Sequence, residues 1–297
     1  MIPSSRQALE ALVTAHVRGR PLALLFDYDG TLTPLTAHPR LACLSPAMRQ
    51  LLHDLAGLPR VAVGVISGRM LEDVRSKVNL SGLYYGGTSG LELDLRSVTI
   101  VHPEAGLGRA LVREAAELLT PIVGRYPGAW LERKSLGLTL HFRNVLPVLQ
   151  RPLCAQARRI FRPSSEAWRL VDGACALEIT PAMGWTKASA VRAIRADLGG
   201  DPLLFYAGDD NNDADALECV ASSGGVTFGV GPRAPTNAAC HLDGPRDIQT
   251  VLEKLRSALH SAHAPRRNAH SPCIEAAVGN NGPYPDVARA SVQGVAP

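Results

Sequence analysis

Asp27-Tyr28-Asp29-Gly30-Thr31-Leu32-Thr33 places two carboxylates with one residue between them, directly after the apolar run Leu22–Phe26. Carboxylates so placed can hold a hard divalent cation, attack as a nucleophile, or give and take a proton. Two further apolar runs end in polar residues of the same kind. Val61–Ile66 stops at Ser67-Gly68-Arg69, and Leu203–Ala207 stops at Gly208-Asp209-Asp210-Asn211-Asn212-Asp213. Lys187 follows Gly184-Trp185-Thr186 at the start of an amphipathic stretch. A lysine in a first helical turn opposes the helix dipole, so it is a candidate for holding an anion. An Asx-type turn closing a strand explains any one junction. Acids at two strand ends and a misplaced lysine together point to metal-assisted chemistry on an anionic substrate.

The positioning elements follow from the pattern. Continuous apolar runs bounded by turn residues read as strands buried on both faces, as parallel sheets require. Ser45-Pro46 starts a helix through Met48, Leu51, Leu52 and Leu55, and Met70 to Val78 reads as the next helix. Short βα units of this kind argue for an open parallel sheet, whose ligands bind beyond the strand ends.

From residue 91 to 182 the pattern changes. Pro103-Glu104 opens a long helix that Pro121 should kink or break. Strands are expected over Trp130–Lys134 and Leu136–Arg143, then a helix near Cys154–Phe161 and strands near Trp168–Val171 and Ala176–Ile179. In the second of these strands Leu136, Leu138, Leu140 and Phe142 form one face and Gly137, Thr139, His141 and Arg143 the other. A helix-plus-hairpin unit with one polar sheet face predicts an α/β cap inserted between two parts of a core, 1–90 and 183–260. Ser5 is the expected cap of an N-terminal helix, and Ile248–Leu259 closes the core. Residues 261–297 carry few large apolar side chains and are expected to be a disordered tail.

Composition sets bounds. A chain of 297 residues, 46% hydrophobic, can bury a large core. Its net charge of +4 comes from scattered Lys and Arg with no aromatic-interleaved basic stripe, which argues against nucleic acid. No apolar stretch approaches about 18 residues, so no membrane span is expected. Six dispersed cysteines without a C-x-x-C pair read as reduced thiols, and a cytoplasmic location follows.

In type and order, Asp27-x-Asp29-Gly30-Thr31, Ser67, Lys187 and Gly208-Asp209-Asp210-x-x-Asp213 resemble the four motifs of haloacid-dehalogenase-type phosphatases. That resemblance implies a doubly wound, mostly parallel core with a cap. It makes Asp27 the nucleophile, Asp29 the acid and base, and Ser67 and Lys187 the holders of the phosphoryl group. It also implies Mg²⁺ held by Asp27, Asp29, Asp209, Asp210 and Asp213. Glu132-Arg133-Lys134 through His141-Phe142-Arg143, with Ile66–Arg69 and Leu177–Pro181, resembles the trehalose-6-phosphate phosphatases more narrowly, in order over roughly 22–255. Arg69, Glu132, Lys134, Arg143 and Glu178 are then the expected substrate-binding residues, the last four on the distal glucose. A sugar phosphate is the expected substrate, and a trehalose-phosphate synthase of the same pathway the protein partner to consider.

Two departures stand out. Gly87-Thr88-Ser89-Gly90 replaces a motif that more often contains His, and Asn212 and Ala214 replace Thr and Glu. They keep open a phosphatase for another glycosyl phosphate, such as glucosylglycerol phosphate. A non-catalytic partner of a synthase is the third possibility, against which the complete set of acids argues.

Overall fold

The computed structural model describes residues 4–263 except 37, 104, 135, 136, 174 and 183. The tail expected from 261 therefore lies outside the described residues beyond His263, as does Leu136 of the expected cap strand.

Eight strands form the larger sheet. β1 (Leu22–Phe26) lies at its centre between β2 (Val61–Ile66) and β10 (Leu203–Gly208). On one side follow β3 (Tyr84–Gly87), β4 (Glu92–Asp94) and β5 (Thr99–Val101); on the other, β11 (Val226–Val230) and β12 (Cys240–Leu242). Pairings from β3 across to β12 are parallel, whereas β3–β4 and β4–β5 are antiparallel. The chain leaves β1 toward β2 and returns through β10, so the order reverses between β1 and β10. A crevice opens at such a switch point.

The pleat separates two apolar layers. Leu22, Leu24 and Phe26 pack with α1 (Ser5–Val17), α2 (Pro46–Ala56), α3 (Leu71–Val78) and α8 (Pro245–His263). Ala23 and Leu25 face α6 (Lys187–Leu198) and α7 (Ala214–Ser222). Helices on both faces make the sheet doubly wound. The cap of α1 is Ser4 rather than Ser5: its hydroxyl accepts from the Gln7 amide while the Gln7 side chain returns to the Ser4 amide.

The smaller sheet is antiparallel, in the order β6 (Trp130–Lys134), β7 (Gly137–His141), β9 (Ala176–Pro181), β8 (Trp168–Gly173). Leu138, Leu140, Leu177 and Ile179 pack on α4 (Ala105–Val123) and α5 (Pro147–Phe161). The alternate residues are left to face the core. α4 continues through Pro121, which gives up its own i→i−4 hydrogen bond, and ends two residues later. β4 and β5, which the sequence pattern groups with the inserted region, hydrogen-bond onto the larger sheet.

Candidate active site

β1 and β10 are in register from Leu22–Leu203 to Phe26–Ala207, and the Asp27 amide donates to the Ala207 carbonyl at 2.9 Å. Asp27 and Asp209 therefore leave adjacent strands at one sheet edge. Gly30, at φ +87°, passes against the Asp209 carboxylate so closely that a Cβ there would collide with it. This position needs glycine both for its backbone and for that approach.

Lys187 reaches the same edge from the first turn of α6, whose N-terminus Thr186 caps through a hydrogen bond from the Ala188 amide. Its Nζ donates to Asp27 Oδ1 at 2.7 Å, Asp213 Oδ1 at 2.7 Å and Asn212 Oδ1 at 3.1 Å. Carboxylate oxygens of Asp27, Asp209 and Asp213 lie within 4.8 Å of one another. All four side chains are buried.

This crowding has electrostatic consequences. Burial pushes the Asp27 carboxyl up to about 8, with Lys187 pulling it down and Asp213 pushing it further up. Burial and then the charges of Asp27 and Asp213 likewise raise Asp209. Lys187 stays charged far above its ordinary range: burial opposes the charge, but Asp213 and Asp27 outweigh it. Lys187 on Asp27 and Asp213, and Arg233 on Asp209, thus face three buried carboxylates. An all-oxygen cluster with surplus negative charge suits a hard divalent cation.

The three acids differ in their other contacts. Asp213 accepts from Lys187 and from the buried Tyr206 hydroxyl (2.6 Å) at Oδ1, and from the Asp209 and Asp210 amides at Oδ2. It holds the lysine and the loop, and has little lone-pair capacity left for a metal. Asp27 and Asp209 are better placed as ligands. Asp210 caps the following turn at the Asn211 amide and meets Arg233 Nε at 3.3 Å. Arg69 grips the Asp29 carboxylate with Nε–Oδ2 at 2.6 Å and Nη2–Oδ1 at 2.7 Å.

Arg69 also lines the cleft beside Asp29. It is 4% exposed, and besides Asp29 it donates to Asp73 Oδ2 and to the Pro39 carbonyl, both at 2.6 Å. Most of its guanidinium is committed within the protein, so it positions Asp29. Ser67 is buried at the end of β2 and its Oγ accepts from the Arg69 amide at 3.2 Å.

Asp27, Asp29, Ser67, Arg69, Asp209 and Asp210 line one cleft with Glu132, Lys134, Arg143 and Glu178 of the smaller sheet. Lys187 and Asp213 lie behind that lining. Register explains the row that the smaller sheet turns to the cleft: Glu132 is opposite Thr139, and Thr139 opposite Glu178. Thr139 is buried and its hydroxyl has no partner among the described residues. His141 Nε2 meets Glu132 Oε2 at 2.8 Å. Burial alone would raise Glu132, but the His141 hydrogen bond and the Lys134 charge outweigh it and hold the carboxyl near 2. A Cβ on Gly68 would come within 2.6 Å of Glu178 Oε1 and 3.4 Å of Lys134 Nζ, so glycine lets the two sheets meet here.

Both sequence departures converge on Glu178. Ser89 Oγ and Asn212 Nδ2 each stand 3.5 Å from its carboxylate. Sequence reasoning missed Arg233, whose Nη2 reaches Asp209 Oδ2 at 3.0 Å. Arg233 follows the end of β11, and extending the strand-end rule to that strand finds it. Tyr206 gave no signal, because it reads as one more apolar member of β10.

A doubly wound sheet with nucleophile-type and metal-type acids at its switch point, under a second sheet, defines a haloacid-dehalogenase-like phosphatase. The Trehalose-phosphatase family model matches residues 25–245. The probable trehalose-phosphate phosphatase 4 of Oryza sativa subsp. japonica is 31% identical over 270 residues, covering 85% of this chain and 70% of that protein. The trehalose-phosphate phosphatase of Mycobacterium tuberculosis is 32% identical over 271 residues, covering 88% and 67%. The C-terminal domain of the Candida albicans trehalose-6-phosphate phosphatase superimposes with a TM-score of 0.74 at 20% identity, covering 84% of this chain and 96% of that one. The chain belongs to the trehalose-phosphatase family and is a phosphoric monoester hydrolase.

Proposed function

We propose that the protein hydrolyses trehalose 6-phosphate to trehalose and phosphate through a phosphoryl group carried on Asp27. One observation carries this reading: Glu132 and Glu178 of the cap sheet share a cleft with Asp27, Asp29 and Asp209 of the core. An Asp27 oxygen attacks phosphorus and the bond to the sugar oxygen breaks. Asp29 supplies the proton that this oxygen takes up. Water then attacks phosphorus, gives its proton to Asp29, and the Asp27 carboxylate is released. To act, Asp29 must turn one oxygen from Arg69 to the substrate.

Lys187 neutralises the charge that passes between Asp27 and the phosphoryl oxygens, and the Ser67 hydroxyl orients one of those oxygens. Mg²⁺ is the cation proposed for Asp27 and Asp209, where it would neutralise the phosphate and lower the cost of bringing two anions together. Glu132, Lys134, Arg143 and Glu178 select the distal glucose. Carboxylates accept from its hydroxyls and cations donate, and a sugar lacking a matching hydroxyl leaves a buried group unpaired. In this assignment the core is built from two parts of the chain with the cap between them. A trehalose-phosphate synthase is the proposed source of the substrate. The cytoplasm is the proposed compartment, in keeping with free thiols at Cys43, Cys154, Cys175 and Cys219. Among the described residues no helix is long and apolar enough to cross a membrane.

Phosphate release tests the proposal. With Mg²⁺, kcat/KM on trehalose 6-phosphate should exceed that on glucose 6-phosphate and glucosylglycerol phosphate by about 100-fold, the size of discrimination that hydrogen-bonding sites reach or exceed. EDTA should stop turnover and Mg²⁺ restore it. Equal rates across the panel contradict the sugar assignment, and full activity in excess EDTA contradicts the metal.

A further inference from the structure

The chemistry above uses neither His38 nor Trp130, yet these two rings stack at 4.6 Å between centroids and 4° between planes. Trp130 also stacks on His141, at 4.1 Å and 13°. Three rings form one column. His38 belongs to the core loop that follows the Asp27–Thr33 motif, whereas Trp130 and His141 are opposite each other on β6 and β7 of the cap.

Each end of the column meets a group assigned to the reaction. His141 holds Glu132 Oε2 at 2.8 Å. Next to His38, the Pro39 carbonyl accepts from Arg69, whose remaining bonds grip Asp29. Aromatic contacts of this kind add directional attraction beyond burial, and a flat ring stacked with two others is held in place more firmly than by one. The column therefore ties the strand that presents Glu132 to the loop braced by the arginine that positions Asp29.

We propose that His38, Trp130 and His141 form a positioning clamp that sets the sugar-reading Glu132 relative to Asp29. A phosphate ester long enough to reach the cap is then turned over faster, while a small ester gains nothing. This rests on the assignment of Glu132 to the sugar. His38 and Trp130 are positioning residues and need not touch substrate.

His38 has a second job that the test must separate, since its Nδ1 accepts from the Arg40 amide at 3.2 Å and caps the short turn Pro39–Leu41. His38→Asn keeps an acceptor for the cap and loses the stacking ring. His38→Phe keeps the ring and loses the acceptor. Both are to be assayed with Mg²⁺ on trehalose 6-phosphate and on p-nitrophenyl phosphate, alongside Glu132→Gln, with thermal melts to establish folding. His38→Asn should lower kcat/KM on the disaccharide about three- to tenfold, mostly through KM, the range one aromatic pair contributes. Its rate on p-nitrophenyl phosphate should not change, and His38→Phe should restore the disaccharide rate.

Three results overturn the clamp: His38→Asn unchanged on the disaccharide while Glu132→Gln is impaired, an equal fall on both substrates, or failure of Phe where Asn succeeds. The last would mark His38 as a cap only. If Glu132→Gln itself leaves the disaccharide rate intact, the sugar assignment fails and the clamp's proposed purpose with it.

Discussion

Asp27→Asn is expected to reduce phosphate release by about four orders of magnitude or more, as loss of a catalytic nucleophile does, while the protein stays folded. Asparagine matches the shape of the carboxylate but cannot form the acyl phosphate. The fold survives because Lys187 keeps its 2.7 Å bond to Asp213 and the Asp27 amide keeps its place in the ladder with Ala207. The variant should also differ in how stability depends on pH. In the metal-free protein the Asp27 carboxyl rises from 3.8 to about 8 on folding. Between those values the folded chain binds more protons than the unfolded one, so stability falls as pH rises through the window. Asp209 is shifted in the same direction and adds to the fall. Melts in EDTA should show a shallower decline for Asp27→Asn than for the wild type. Substantial turnover by the variant would remove Asp27 as nucleophile.

Lys187→Met should harm both activity and fold. Lys187 is 1% exposed and carries the only Lys or Arg hydrogen bond recorded among the described residues for either Asp27 or Asp213. Removing one partner of a buried ion pair typically costs about 3–5 kcal/mol, because the other charge is left uncompensated. Three carboxylates within 4.8 Å of one another share that loss. Loss of the positive charge beside the phosphoryl group should lower kcat by about 100- to 1000-fold, as for other preorganised donors. The stability loss should be greater above the raised Asp27 value, where Asp27 and Asp209 give up their protons, and smaller below it. Urea denaturation at two pH values and kcat with saturating Mg²⁺ measure both effects. A variant as stable and active as the wild type would contradict the arrangement around Lys187.

What the sequence made legible was set by burial on two faces. β1, β2 and β10 are continuous apolar runs that stop at polar residues, so the strands and the acids at their ends could be read together. The alternation around Gly137–His141 similarly marked Thr139 and His141 as one polar face of the cap. Other features had no local signature. β12 spans only Cys240–Leu242, too short for periodicity to separate it from loop, whereas the weak alternation over Leu91–Val101 suggests a strand or hairpin, and β4 and β5 pair antiparallel there. Pro121 reads as a helix breaker, yet α4 continues past it for two residues before ending. The pairing of Arg69 with Asp29 spans 40 residues and that of Arg233 with Asp209 spans 24. Contacts of that kind depend on which strand ends become neighbours, and only the sheet order decides that. The His38–Trp130–His141 column was hidden for the same reason, since its rings come from a core loop and two cap strands.

The most direct measurement is to acid-quench the enzyme during turnover of trehalose 6-phosphate with Mg²⁺ and locate the phosphoryl group by peptide mass spectrometry. A single acid-stable, hydroxylamine-labile phosphoryl group is expected on Asp27, absent from Asp27→Asn. Rapid hydrolysis with no protein-bound phosphoryl group at any quench time, or one carried on another residue, would contradict it.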